Sequence, residues 1–287
     1  MLTINNVSKA YSGNIQALKD INLTIKPGIF GLLGPNGAGK STLMRTLASL
    51  QMPSAGSVTL NGLNILQHSL QARKKIGYLP QELGVYPRVS AYEMLNYLAG
   101  LKGIDTADRH HQVNALLERV NLADVAHQQL DTYSGGMRRR FGIATAFIGS
   151  PELVIVDEPT AGLDPAERRR FQLLLAEAAQ QCILILSSHI VEDIAGLCTD
   201  MAVMDKGEIL STGAPQQQID SLQGQVWQRY IEFDQLEQLQ NQFKVLSWRP
   251  HQGKLVIRLL SDTQPTEGFK QSDADLEDLY AAHISYA

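Results

Sequence analysis

Four short apolar runs punctuate the chain: Ile29-Phe30-Gly31-Leu32-Leu33, Ile76-Gly77-Tyr78-Leu79, Leu153-Val154-Ile155-Val156 and Ile183-Leu184-Ile185-Leu186. Runs of this length without polar alternation predict strands covered on both faces, as in a parallel sheet. A second pattern precedes them. Ile21, Leu23 and Ile25 alternate with polar residues ahead of a Lys26-Pro27-Gly28 turn, which predicts antiparallel strands beside that parallel core. Leu43, Leu47 and Leu50 recur at helical spacing. From Ser90 to about Leu130 strand alternation is absent and Ser90 with Glu93 makes a capping box, so a helical segment is predicted there. A helix is also expected from Met137 to Ile148. Asp164-Pro165, with Glu167 in the capping position, starts another that reaches about Gln180.

The pattern changes again after Gly213-Ala214-Pro215. Val226 to Phe233 and Leu255 to Leu259 read as strands, the latter after a turn at His251-Gln252-Gly253. A helix near Gln235 to Phe243 lies between them, and Asp273 is expected to cap a final helix from Asp275 to His283. The expected organisation is residues 1–215 as one α/β unit, with a helical subdomain at about 88–150, and residues 216–287 as a small α+β extension.

The chemistry gathers at the ends of the predicted parallel strands, where open α/β sheets bind ligands. Gly34-Pro35-Asn36-Gly37-Ala38-Gly39-Lys40-Ser41 fits G-x-x-x-x-G-K-[ST] and stands between a strand and a helix. Its glycines let backbone N–H groups turn toward phosphate oxygens, and the helix N-terminus adds positive potential. Lys40 is expected on the β- and γ-phosphates and Ser41 on Mg²⁺. Asp157 and Glu158 follow the third run, placed to hold Mg²⁺ through water and to act as general base. By themselves, two adjacent acids after a strand also read as solvated loop residues. His189 follows the fourth run and is placed to bond a γ-phosphate oxygen or to bridge it to Glu158, although a lone histidine is also a common structural residue. Gln81, past Pro80, is placed to contact Mg²⁺ or the attacking water. Ser134-Gly135-Gly136 resembles a helix N-cap whose hydroxyl and backbone N–H groups face an anion.

Taken together these motifs resemble the nucleotide-binding subunit of an ATP-binding cassette (ABC) transporter over about residues 1–215. In that resemblance Gly34 to Ser41 is the Walker A motif, with nucleotide contacts continuing to Thr42. Gln81 is the Q-loop glutamine, Ser134-Gly135-Gly136 the signature, and Asp157 the Walker B aspartate. Glu158 is the catalytic glutamate, Ala161-Gly162-Leu163-Asp164 the D-loop, His189 the switch histidine, and Tyr11 the aromatic that stacks on adenine. Without the family, Tyr11 reads equally as strand-edge packing. The sequence departs from the usual signature at Tyr133, commonly leucine, and at Met137, commonly glutamine; the serine hydroxyl and glycine N–H groups remain. The implied fold is a P-loop NTPase (RecA-like) parallel core with an antiparallel β flank and an inserted helical subdomain.

The resemblance further implies ATP and Mg²⁺ as cofactors, and two ATP molecules sandwiched between two copies, so that the signature and Asp164 of one chain complete the site of the other. It implies integral membrane permease subunits docking near Gln81 to Pro87, where Leu83, Val85, Tyr86 and Pro87 form a mostly apolar loop that reads alternatively as packing under the helical subdomain. The tail is similar to C-terminal extensions of ABC-2-type exporter ATPases. A non-transport ABC ATPase serving soluble partners shares every nucleotide motif and is the alternative.

Composition is compatible with this reading. The 287 residues carry a net charge of −4, which argues against a nucleic-acid partner. Arg138-Arg139-Arg140 is the densest basic run and reads as a solvated or ion-paired helix face. No apolar run approaches membrane-spanning length and no signal-peptide pattern opens the chain, so a cytoplasmic subunit is expected, peripheral to the membrane through its permease. Cys182 and Cys198 lack metal or redox spacing and are expected as reduced thiols.

Overall fold

The computed structural model describes residues 1–13, 15–84, 87–160 and 163–284. Val85 and Tyr86 of the expected docking loop, and Ala161 and Gly162 of the expected D-loop, lie outside the described residues.

The chain opens with β1 (Leu2–Tyr11), β2 (Ile15–Ile25) and β3 (Gly28–Leu33), and the glycine loop then leads into α1 (Lys40–Leu47). Next come β4 (Ala55–Leu60), β5 (Leu63–Asn64), α2 (Ser69–Lys75) and β6 (Ile76–Leu79). The helical insertion holds α3 (Ala91–Leu101), α4 (Thr106–Arg119) and α5 (Gly135–Phe147). The core resumes with β7 (Leu153–Asp157), α6 (Pro165–Ala178), β8 (Ile183–Ser188), α7 (Val191–Ala195), β9 (Asp200–Asp205), β10 (Glu208–Gly213) and α8 (Pro215–Asp220).

The central sheet runs β10-β9-β3-β8-β7-β6 and is parallel except for β10. An antiparallel sheet, β2-β1-β4-β5, packs against it. The apolar runs now have a physical cause, because successive side chains of a strand point to opposite faces and here both faces are covered. Val154 and Val156 of β7 and Leu184 and Leu186 of β8 enter the core on the helical side. Leu153, Ile155, Ile183 and Ile185 enter the core shared with the antiparallel sheet and α1. Leu50 departs from expectation: α1 stops at Leu47, and Leu50 is 55% exposed.

In the insertion, Glu93 N donates to Ser90 Oγ at 3.2 Å and Ser90 N donates to Glu93 Oε2 at 2.9 Å, forming the predicted capping box. The tail holds β11 (Val226–Ile231), α9 (Leu236–Gln242), β12 (Lys244–His251), β13 (Lys254–Leu260), β14 (Lys270–Gln271) and α10 (Leu276–His283). Its sheet, β12-β13-β11-β14, has four strands rather than the two expected. β12 escaped the sequence reading because it is an edge strand in which Leu246 alone is fully buried. The cap of α10 is Asp275, not Asp273: Asp278 N donates to Asp275 Oδ1 at 2.9 Å in a reciprocal box. One face of this sheet forms its own small core with Leu239 and Phe269, while Val226 and Leu246 join Leu276 and Leu279 of α10 in the helical-side core of the main body.

Candidate functional site

Parallel pairing sets the site. Leu33 of β3 is registered with Ser188 of β8, and Asp157 of β7 with Ser187 of β8. The residues leaving these strands are Gly34, Glu158 and His189, so three distant sequence segments end side by side. This is the carboxyl edge at which such sheets bind ligands.

The glycine loop hugs its surroundings. Gly34 N donates to Ser188 O at 3.3 Å, and Gly207 N donates to Ala38 O at 2.9 Å. Gly39 has φ +105, and a Cβ there would stand 2.4 Å from the Ala17 carbonyl oxygen, so both conformation and space demand glycine. Beyond it α1 begins at Lys40 without an acidic residue in its first turn, leaving the helix N-terminus free to meet an anion. The adjoining cleft, about 750 Å³, is bordered by Pro35, Asn36, Gly37, Gly39, Lys40, Ser41, Thr42, Gln81 and Glu158. Ala17, Lys19 and Lys206 also border it, residues that sequence reasoning missed because no motif marks them.

Lys40 is 4% exposed. Its ammonium donates to Gly34 O at 2.6 Å and Pro35 O at 3.0 Å, and lies 3.4 Å from Glu158 Oε1. Burial lowers its pKa, and the Glu158 carboxylate partly offsets that shift. The other oxygen, Glu158 Oε2, takes Gln81 Nε2 at 3.3 Å and stands 3.4 Å from His189 Nδ1. Three of the predicted site residues thus converge on one carboxylate. Glu158 itself has φ +46, a left-handed conformation costly for a residue with a Cβ. Its N–H is held by Ser187 Oγ at 3.0 Å.

Ser187 also donates to Asp157 Oδ1 at 2.6 Å, so one buried hydroxyl orders both acids. The available signal was a hydroxyl ending an otherwise apolar buried strand, where a polar group needs a partner. Ser41 Oγ lies 3.5 Å from the same Asp157 oxygen. A hydroxyl beside a carboxylate 3% exposed is a hard-oxygen pair that fits Mg²⁺. No cluster of three or more His, Cys, Asp or Glu suited to a metal exists among the described residues, so such an ion would draw further ligands from outside that set, such as an amide oxygen, phosphate or water.

The remaining candidates are not among the residues lining this cleft. Ser134 caps α5, accepting from Met137 N at 3.2 Å. A Cβ on Gly136 would meet only the mobile end of the Glu167 side chain, at 2.3 Å from Oε1, where α5 faces α6, and Gly135 has open space around its Cα. Asp164 caps α6, accepting from Ala166 N at 2.9 Å and Glu167 N at 2.8 Å. Tyr11, 41% exposed at the end of β1, donates to Gln51 Oε1 at 3.0 Å, with the Lys9 ammonium 5.4 Å from its ring centroid. Tyr133 is buried and donates to Val125 O at 2.8 Å, so its departure from leucine is a packing feature of the helical insertion.

Two arginines of the basic run, expected to be solvated or ion-paired, bond to carbonyls. Arg138 donates to Asp131 O at 2.7 Å, and Arg139 donates to the carbonyls of Glu158, at 3.4 Å, and Pro159. Rather than forming a solvated face, this arginine ties α5 to the backbone that carries Glu158.

A family model described as ABC transporter matches residues 18–161. The chain is 36% identical over 215 residues to the linearmycin resistance ATP-binding protein LnrL of Bacillus subtilis, covering 74% of this chain and 69% of that one. It is 39% identical over 223 residues to the Nod factor export ATP-binding protein I of Cupriavidus pinatubonensis, covering 77% and 68%. Among solved structures, a bacterial ABC transporter cassette described as dimeric superposes with a TM-score of 0.67 at 25% identity, covering 75% of this chain and 98% of that one. With a strand-loop-helix phosphate site, an acid pair ordered by its neighbouring strand and these relatives, the chain belongs to the ABC transporter family as an ATP-binding, ATP-hydrolysing cassette.

Proposed function

We propose that the chain is one of two identical cassettes that drive an ABC-2-type exporter. The observation that carries the two-copy reading is the division within one chain. Lys40, Ser41, Gln81, Glu158 and His189 gather at one cleft, whereas Ser134 and Asp164 cap helix starts and do not line it. A second copy facing the cleft would bring its own Ser134, Gly135, Gly136 and Asp164 to the bound nucleotide, and a similar cassette solved as a dimer supports that arrangement.

In this reading the loop from Gly34 to Thr42 and the α1 N-terminus grip the phosphates, and Tyr11 stacks on the base. Lys40 turns from the Glu158 carboxylate to the β- and γ-phosphates. Glu158, released from that ammonium, takes a proton from the attacking water, with His189 and Gln81 orienting it from the Oε2 side. Ser41, Asp157 and Gln81 would hold Mg²⁺, which when bound offsets phosphate charge.

The membrane partner is inferred from a groove of about 670 Å³ between the core and the helical insertion. Leu83, Met94, Leu98, Leu101 and Phe141 give it an apolar floor, with Arg73, Lys74 and Lys102 beside them. These features favour an amphipathic permease helix with acidic residues at its edge. No helix among the described residues is long and apolar enough to cross a membrane, consistent with a transport path in separate subunits at whose cytoplasmic face this chain works. We assign the ATPase to residues 1–215 and an accessory role to residues 216–287. Relatives named for resistance and export favour transport over a soluble mechanochemical role.

The test is the mass of the Glu158→Gln chain in solution with saturating ATP and Mg²⁺. A nucleotide-dependent dimer is expected, and a strict monomer at every nucleotide concentration would overturn the shared-site reading. Recovery of the wild-type chain with soluble proteins alone, and no multi-span membrane protein, would overturn the exporter assignment.

A further inference from the structure

Asp193, on the short helix α7, is fully buried, and its carboxylate receives four donors. Oδ1 accepts from Arg168 Nε at 2.6 Å and Gln172 Nε2 at 3.2 Å. Oδ2 accepts from Ser188 Oγ at 2.9 Å and from Thr160 Oγ1. An ionised carboxylate has about four lone-pair sites, so this set saturates it. An asparagine would remove the charge and, with its N–H₂ turned toward Thr160 and Ser188, would force both hydroxyls to accept where they now donate.

The donors come from three segments around the reacting centre. Thr160 stands two residues beyond Glu158, Ser188 immediately precedes His189, and Arg168 lies one turn past the Asp164 cap of α6. Ser188 Oγ also accepts from Ile190 N at 2.9 Å, fixing the backbone on both sides of His189. A buried charge purely for stability is a weak solution, since an apolar replacement of similar volume often serves as well. Here the charge links Glu158, His189 and the start of α6, groups whose mutual placement governs turnover.

We propose that Asp193 is a positioning residue that holds these three segments in their working arrangement. It touches no reacting atom. The inference rests on the roles proposed above for Glu158 and His189. Misplacement of catalytic groups by about an ångström costs on the order of a hundredfold in rate while leaving nucleotide contacts intact. The loss therefore belongs in kcat rather than in ATP affinity.

The test compares Asp193→Asn, Asp193→Glu, Thr160→Val and His189→Ala in the full chain, measuring ATP affinity, kcat and thermal midpoint for each. Asp193→Asn is expected to bind ATP within about threefold of wild type while kcat falls about ten- to a hundredfold, with Asp193→Glu recovering part of the loss. A folded Asp193→Asn chain whose midpoint drops while kcat stays within about twofold of wild type would overturn the proposal, because a structural ion pair behaves that way. Should Asp193→Asn fail to fold, Thr160→Val decides: a kcat loss of about three- to tenfold at unchanged affinity supports positioning, and wild-type kcat overturns it. Impaired turnover in His189→Ala beside normal turnover in Asp193→Asn sinks this inference and leaves the site reading intact. Full turnover in His189→Ala sinks the site reading itself.

Discussion

Lys40 Nζ lies 3.4 Å from Glu158 Oε1, so the cation of the phosphate loop is paired with the residue proposed as general base. Both side chains are mostly buried, and the Lys40 ammonium is otherwise held by two carbonyls. In the proposed function, nucleotide phosphates and Glu158 would compete for one ammonium.

Removing the Glu158 charge should separate binding from chemistry. Glu158→Gln is expected to bind ATP at least as tightly as wild type, since its competitor for Lys40 is gone, while hydrolysis slows about 10²- to 10⁴-fold. Nucleotide titration and steady-state ATPase assays measure the two effects, and weakened binding would contradict the competition.

Ser187 orders both acids, so Ser187→Ala should lower stability by about 1–3 kcal/mol, the cost of leaving a buried partner unsatisfied. Turnover should fall as well. Urea unfolding alongside ATPase assays checks both.

Tyr133 should matter for packing only. Tyr133→Phe removes the bond to Val125 O and should cost about 1 kcal/mol in unfolding free energy, with kcat unchanged. A loss of turnover in the folded variant would give the tyrosine hydroxyl a role in the composite site.

Lys102, beside the proposed docking groove, offers a pH signature. Burial pushes its pKa down to about 8 from 10.5 in the unfolded chain. Between those values the folded state binds fewer protons than the unfolded state, so this residue makes stability rise with pH across the window. The wild type should gain stability relative to Lys102→Met between about pH 7 and about pH 9.5, as followed by urea unfolding. A gap independent of pH would refute the shift.

In the tail, Arg258 Nε donates to Asp278 Oδ1 at 2.9 Å, and Asp278 is 1% exposed. Asp278→Ala leaves that guanidinium without its main anion and should loosen α10 by about 3–5 kcal/mol. Hydrogen exchange should show faster opening of α10 and of β13, with β3, β7 and β8 unaffected.

The parallel strands and the phosphate loop were legible because each is written in a few contiguous residues: an apolar run, or glycines and a lysine at fixed spacing. Ser187 was not, because its partners are decided by the register of β8 against β7, which no local pattern encodes. Asp193 was hidden for the same reason, its donors lying on a loop, a strand and α6. The arginine run was legible only as solvated or ion-paired, because the partners of Arg139 include backbone carbonyls invisible to any charge count. For α10 the signal was present and misassigned: the residue with an acid three positions onward is Asp275, not Asp273.

The alternation of β7 and β8 between two cores makes the length of each strand a constraint on both folding and chemistry. Losing one residue from β8 would carry Leu184 and Leu186 to the opposite layer and slide Ser187 off Asp157, so folding and chemistry would fail together. The turn between α3 and α4 is tied down as well, since Lys102 donates to Ile76 O at 2.8 Å and Ile104 packs against the helical-side core. A change of length in β8 therefore disturbs core and site at once, because the same strand that fills two apolar layers also delivers Ser187 to Asp157.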